Sequence, residues 1–147
     1  MLEFIRTKTI GVQAQGLDLW VIHGRLDDAL YTVDLRLKIS RPDLIVQDAR
    51  GRLLRYTTNR CPLAEEYAGR VKGQALGREL SRRIKDDVGK AGCRHLANLF
   101  ADCAQAAARA ELKAFLAGSD PAAGGVEGIL ASFYLKFPQL EGFLHEH

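Results

Sequence analysis

The sequence GCRHL, residues 92–96, marks the predicted start of the longest helix in the chain. Beyond it, apolar residues recur with the spacing of one helical face, and polar residues occupy the opposite side. Gly92 is the predicted N-terminal boundary, and Gly118 with Pro121 marks the predicted end. The apolar stripe of this helix consists of Leu96, Leu99, Phe100, Cys103, Ala107, Ala110 and Ala114.

Cys93 lies in the first turn of that predicted helix. Unpaired backbone N–H groups and the positive end of the helix dipole favour a thiolate there, so we expect Cys93 to be the most reactive of the three cysteines. The alternative is simple packing, because free cysteine is among the most buried residue types. His95 follows two residues later, and ~200° separates the two side chains on a regular helix. A dyad of Cys93 and His95 therefore requires an irregular first turn.

Strands precede helices in the predicted order. Residues 30–39 alternate between apolar and polar side chains, which is the pattern of a half-buried strand. Short turns separate this strand from its neighbours and favour an antiparallel meander. The predicted fold is α+β, an antiparallel β-meander of four to five strands followed by helices, with one long helix packed on the sheet. The other predicted strands are residues 4–12, 17–25, 44–49 and 53–57, and the shorter predicted helices are residues 63–70 and 73–88.

The length and composition set bounds on domain organisation and location. Residues 1–118 are the predicted single α+β domain. Residues 119–147 are predicted to be a linker and an apolar C-terminal helical tail, packed on the domain or on a partner subunit in a homo-oligomer. Three cysteines cannot all pair, which favours a reducing, cytoplasmic location. No signal peptide and no membrane span are expected, because no segment approaches ~20 consecutive apolar residues.

Basic residues concentrate ahead of GCRHL. Residues 70–94 contain eight Lys or Arg against three Asp or Glu, a net +5 in a chain of net +3. We expect arginines to hold an anionic small molecule, acyl-CoA or phosphate-like, near the N-terminus of the long helix. The alternative is a solvated helix face. Low overall charge and the lack of interleaved aromatic residues argue against nucleic-acid binding. The predicted ligand-binding residues are Arg25, Arg78, Arg82 and Arg94.

Two chemical alternatives to a binding module stay open. In a thiol-dependent enzyme, Cys93 would be the nucleophile and Asp27 the orienting acid. Either His95 or His23 would then be the base, while the alternative role for Asp27 is a structural one in its turn. In a metal site, Cys61, Cys93 and His95 would hold zinc or another metal, because catalytic zinc takes three protein ligands. The chain has no C-x-x-C motif, so the metal signal is weak.

The GC-x-HL motif resembles that of the bacterial family catalogued as domain of unknown function 2889. Matching features over residues 5–115 include residues 24–27 (GRLD), the alternating strand at 33–39, Cys61 with Pro62, and Gly73 with Gly77. The chain departs from the family pattern at Arg94, where threonine is common. The resemblance implies a bacterial cytosolic domain with no established reaction.

Overall fold

The computed structural model describes residues 2–120, 122 and 124–145, beginning with four strands. They form one antiparallel sheet in the order β1-β2-β3-β4, so each strand pairs with its neighbours along the chain. This arrangement confirms the predicted meander. The strands are β1 (Thr7–Gln15), β2 (Leu19–Asp27), β3 (Thr32–Ser40) and β4 (Val46–Arg55).

Helical elements follow the sheet, as the sequence predicts. A 3₁₀ helix (Cys61–Val71) comes first, and α1 (Arg78–Arg83) continues directly into a π-helical segment (Ile84–Lys90). The long helix α2 (Arg94–Ala117) packs on the sheet, and α3 (Gly125–Lys136) and α4 (Leu140–Leu144) follow it. Within the described residues, no helix has both the length and the apolar character that crossing a bilayer requires.

The core lies between α2 and one face of the sheet. Alternate residues of β2 and β3 point into it, because side chains of a strand alternate between the two faces. The stripe on α2 meets them, and each fully buried Leu or Phe stabilises the fold by roughly 1.5–3 kcal/mol. The buried side chains on these elements include Trp20, Ile22, Leu26, Val33, Leu35, Leu37, Ile39, Leu96, Leu99, Phe100 and Cys103.

Strand β4 differs from the prediction. Residues 44–49 and 53–57 were expected to be two strands with a turn at residues 48–51, but a single strand β4 runs unbroken from Val46 to Arg55. The wrong prediction of a turn results from Gly51, because glycine is common in turns. An added Cβ at Gly51 would lie 2.8 Å from Leu96 Cδ1, so the glycine gives α2 room to approach the sheet and does not form a turn.

The second difference concerns the start of α1. A helix was predicted from residue 73, yet residues 73–77 are not helical, and Ala75 forms a bridge with Ile45 beside β4. The amide of Val46 donates to the carbonyl of Gln74 at 2.9 Å, which extends the sheet hydrogen bonding. Backbone pairing with a distant segment therefore overrides the helical spacing of this stretch.

A buried ion pair joins the β3–β4 turn to α2. Arg41 Nε donates to Glu111 Oε1 at 3.0 Å, and Nη2 donates to Oε2 at 2.7 Å. The Arg41 guanidinium carbon also lies 4.2 Å from the centroid of the Trp20 ring. The paired, bidentate hydrogen bonds satisfy both oxygens of the buried Glu111 carboxylate, which would otherwise be costly to remove from water.

The apolar tail lies against α2 of the same chain. Phe133 and Phe143 are fully or almost fully buried, and the Phe133 ring meets Phe115 edge-on at 5.4 Å between centroids. Gln105 Nε2 of α2 donates to the carbonyl of Phe143. Leu135, on the opposite side of α3, is 84% exposed. The division into a domain at 1–118 and a tail at 119–147 stays a prediction, as does self-association through the tail.

Candidate functional site

A cleft of about 980 Å³ opens beside the start of α2, where the 3₁₀ helix and the π-helical segment approach it. No carboxylate is among the described residues that line it. Lys90 Nζ lies 3.3 Å from Asp86 Oδ1, whereas the other three cations of the cleft form no ion pair within the described parts of the chain. The cationic lining residues are Arg60, Lys85, Lys90 and Arg94.

Cys93 is the residue that begins α2 at this cleft. Its backbone is extended, with φ −134° and ψ 121°, and its side chain makes no capping hydrogen bond. The free N–H groups of the first turn are thus not capped by Cys93. Gly92 before it is required by close packing, because an added Cβ would collide with the Tyr67 ring. Cys93 itself is only 7% exposed, which restricts access to its thiol.

His95 lines the same cleft and stacks on Tyr31. The ring centroids are 3.9 Å apart with 27° between the planes. Burial lowers the pKa of His95, and the positive charges of Arg6 and Arg94 lower it further, while Asp28 acts in the opposite direction. The imidazole is therefore neutral at neutral pH, able to accept or donate a hydrogen bond.

Asp28, not Asp27, organises the wall behind His95. Asp28 Oδ1 accepts hydrogen bonds from the amides of Leu30 and Tyr31, both at 2.7 Å, and Oδ2 accepts one from Arg6 Nε at 2.8 Å. Burial raises the pKa of this carboxyl, but the backbone bonds and Arg6 outweigh burial, so the pKa is lowered. By fixing the backbone of Tyr31, Asp28 supports the ring on which His95 stacks.

The predicted orienting acid Asp27 lies outside the cleft. It is exposed, accepts a hydrogen bond from Thr32 Oγ1 at 2.6 Å, and has Arg55 Nη1 at 3.6 Å. His23 is also outside, with Nε2 3.9 Å from Asp34 Oδ1. The burial of Asp28 could have been predicted, because Asp28 is the next inward-facing position after Ile22 and Leu26 of β2. It was missed because Asp27-Asp28 was interpreted as a turn.

The three cysteines have different surroundings. Cys61 is half-buried in the cleft wall, and the Thr58 hydroxyl, 3.5 Å from its sulfur, lowers the pKa of the thiol more than burial raises it. Burial raises the pKa of Cys103 to about 12. Cys61 and Cys93 line one cleft, whereas Cys103 belongs to the core, as the sequence predicts.

Only one of the four predicted ligand-binding arginines, Arg94, lines the cleft. Arg25 lies 3.5 Å from Asp34 on the sheet, and Arg82 pairs with Glu79 of α1 and with Asp86 of the π-helical segment. Arg78 packs against α4 at Gly142. Arg60, Lys85 and Lys90 line the cleft without having been predicted as ligand-binding residues, because the packing of the 3₁₀ helix and the π-helical segment beside α2 determines which basic side chains reach the cleft.

The predicted metal ligands Cys61, Cys93 and His95 all line the cleft. In the part of the chain that the structure describes, however, no group of three or more His, Cys, Asp or Glu side chains is arranged to hold a metal ion. The zinc hypothesis therefore has no support from the geometry of these residues.

The family model described as "Protein of unknown function (DUF2889)" matches residues 5–109. The chain belongs to this family. In this DUF2889 chain the matched region includes the whole sheet, the cleft and most of α2, whereas α3 and α4 lie beyond it. No curated protein and no solved structure matches the chain.

Proposed function

We propose that this DUF2889 chain is a binding module for an anionic small molecule, held in the cleft at the start of α2. The observation that carries the proposal is the set of four lining cations, with no carboxylate among the described residues of the lining. Like charges gathered on one concave surface repel one another, and a bound anion relieves that repulsion. Arg94 and Arg60 supply planar guanidinium groups suited to phosphate or carboxylate oxygens.

The start of α2 adds a second attraction. This 24-residue helix carries the equivalent of roughly half a positive charge at its N-terminus, beside the cleft. Its first N–H groups receive no side-chain cap, so a ligand oxygen can satisfy them.

The cleft also offers apolar contacts for a larger ligand. Its lining includes Ile84, Ala97, Ala101 and the ring of Tyr31. A volume of about 980 Å³ is near the upper end of the 300–1,000 Å³ that small-molecule sites usually span. An acyl-CoA or a comparable phosphate compound combines the anionic and apolar parts that this lining accommodates.

Calorimetric titration with acetyl-CoA and with pyrophosphate tests the proposal. We expect Arg94→Gln and Lys85→Gln each to weaken binding by roughly 10- to 100-fold, because a hydrogen bond to a charged group contributes about 1.5–3 kcal/mol. Arg82→Gln is the matched control, since Arg82 is exposed and lies outside the cleft. Absence of binding to both probes, or an equal loss in Arg82→Gln, would contradict the proposal.

Thiol chemistry is the second candidate, and one observation favours Cys61 over Cys93 for it. Cys61 is half-buried, with a lowered thiol pKa, in a wall of the cationic cleft. Cys93 is buried, and the predicted acid Asp27 lies outside the cleft. In such a reaction Arg60 and Lys85 would draw in an acyl-CoA, and Cys61 would give its proton to neutral His95 and attack the thioester carbonyl. The carbonyl–sulfur bond to CoA would break as the acyl–Cys61 bond forms, and the CoA thiolate would leave with the proton from His95.

A further inference from the structure

The sheet face that points away from α2 carries a second cluster of cations, distinct from the cleft. We define the outer face as the alternate residues of β2, β3 and β4 whose side chains lie on this side. Each cation of this face is exposed, and none of them lines the cleft. The charged residues of the outer face are Arg25, Arg36, Lys38, Arg50, Arg52 and Arg55, with Asp27, Asp34 and Asp48, and His23 lies among them.

The strand register places Arg36 of β3 directly opposite Arg50 of β4, whereas Arg52 lies opposite Asp34 and Lys38 lies opposite Asp48. Directly opposed like charges destabilise a sheet, and Cβ atoms in such pairs are only about 4.5–5.5 Å apart. Folding of the isolated chain therefore gives no reason for the position of Arg36 beside Arg50.

The three carboxylates of the outer face neutralise only part of the cluster. Asp34 Oδ1 lies 3.5 Å from Arg25 Nη1, Asp48 Oδ2 accepts from Arg50 Nε at 3.0 Å, and Asp27 Oδ1 lies 3.6 Å from Arg55 Nη1. The remaining cations form no ion pair within residues 2–120, 122 and 124–145. These unpaired cations are Arg36, Lys38 and Arg52.

We propose that the outer face binds the phosphate backbone of a nucleic acid. Arg36 and Lys38 are two residues apart on β3, and Arg50 and Arg52 are two apart on β4, so each pair is spaced about 6.6–6.8 Å along its strand. Because Arg36 lies opposite Arg50, these four cations form one patch across the two strands that phosphates can contact. Five of the six permanent cations of the outer face are arginines, whose planar fork binds phosphate in a bidentate manner. The strand positions on this face hold no aromatic residue, so the contact is to phosphates and not to stacked bases.

This proposal revises the expectation drawn from overall charge. The net charge of +3 is small because acidic residues elsewhere balance the basic ones. The fold, however, collects six basic residues and three acidic ones on a single exposed face. Local charge density, not the total, determines phosphate binding.

Fluorescence anisotropy with a fluorescein-labelled DNA duplex, and in parallel with a labelled single-stranded RNA, tests the proposal. With three unpaired cations engaged, the slope of log K against log salt should be about −2.7 for the duplex and about −2.1 for the single strand. Arg36→Gln combined with Arg52→Gln should weaken binding at least ~10-fold and reduce the duplex slope by ~1.8. The charge-matched control, Arg109→Gln with Lys113→Gln, changes two exposed residues of α2 and should bind like the parent.

Thermal unfolding of the Arg36→Gln variant tests the role of Arg36 independently of binding. Arg36→Gln should raise the Tm, because it removes the like-charge contact with Arg50, and this separates weakened binding from misfolding. Three outcomes would overturn the proposal: absence of binding at low salt, equal losses in the two double variants, or equally tight binding of labelled polyglutamate. The last would assign the outer face to an acidic protein segment.

Discussion

At the scale of single residues, the adjacent Asp27 and Asp28 show how the strand period assigns roles. Successive side chains of β2 point to opposite faces, so Asp28 is buried behind the cleft while Asp27 faces solvent. The sequence indicates a turn rich in aspartate at this point. It does not show which carboxylate is buried, because that depends on where the strand ends.

Replacing Asp28 with asparagine should lower the free energy of unfolding by roughly 1–3 kcal/mol at pH 7, through loss of the charged partner of Arg6. The folded-state pKa of Asp28 is lowered, so its stabilisation is present above the unfolded value of about 3.9 and is lost as pH falls through the folded value. Urea unfolding at pH 7 and pH 3 measures both effects. Asp27→Asn is the control, and equal losses in the two variants would contradict the assignment.

The cysteines give a second prediction at this scale. At pH 7 we expect iodoacetamide to modify Cys61 first, Cys93 more slowly and Cys103 only on unfolding, as measured by peptide mass mapping. The order replaces the one expected from sequence, because Cys93 is only 7% exposed whereas Cys61 is half-buried with a lowered thiol pKa.

A valine at position 58 provides the matched variant for that prediction. Thr58→Val removes the hydroxyl that lowers the pKa of Cys61 while keeping the shape of the side chain, so modification of Cys61 should become slower. If Cys93 reacts fastest in the parent chain, the start of α2 dominates thiol reactivity and the structural argument fails.

At the scale of elements, β3 and β4 differ in how plainly the sequence specifies them. The alternation in β3 has one interpretation, since a single register buries Val33, Leu35 and Leu37 together. Gly51 in β4 has two interpretations, either a turn or a position where another element packs close to the strand. Only the position of α2 shows that the second interpretation is the right one. The same dependence on a distant partner explains the missed bridge between Ile45 and Ala75.

Gly51→Ala should destabilise the fold by about 1–3 kcal/mol, because the new methyl group overlaps Leu96 and pushes α2 away from the sheet. Chemical denaturation measures the change. Gly11→Ala on β1 is the matched control, since no atom lies within 4 Å of its added Cβ, and a neutral or stabilising effect is expected there. Similar effects at both glycines would mean that α2 does not depend on this gap.

At the scale of the whole molecule, the order of strands then helices and the long helix on the sheet follow from periodicity alone. The cleft does not, because it is built from segments that are distant in sequence. Tyr31, Cys61 and Arg94 come together only after the 3₁₀ helix and the π-helical segment have packed beside α2. For the same reason Arg94 was predicted at the cleft and Arg60 was not.

Phe133→Ala tests whether the tail stabilises its own chain. Phe133 is fully buried beside Phe115, so truncation should reduce the free energy of unfolding by about 3–5 kcal/mol. Leu135→Ala, which changes a side chain that is 84% exposed, should have little effect. Both are measured by urea unfolding at two protein concentrations. A midpoint that rises with concentration would indicate instead that the tail is buried by a partner subunit.

The stack of Arg41 on Trp20 has an optical consequence. Trp20 is the single tryptophan of the chain, so its fluorescence originates from one place, beneath a guanidinium that is bonded to Glu111 of α2. When α2 separates from the sheet, Glu111 no longer holds the guanidinium over the indole and the indole gains water, so its emission shifts to longer wavelength. The detachment of one helix can thus be followed in real time without a dye or an added label.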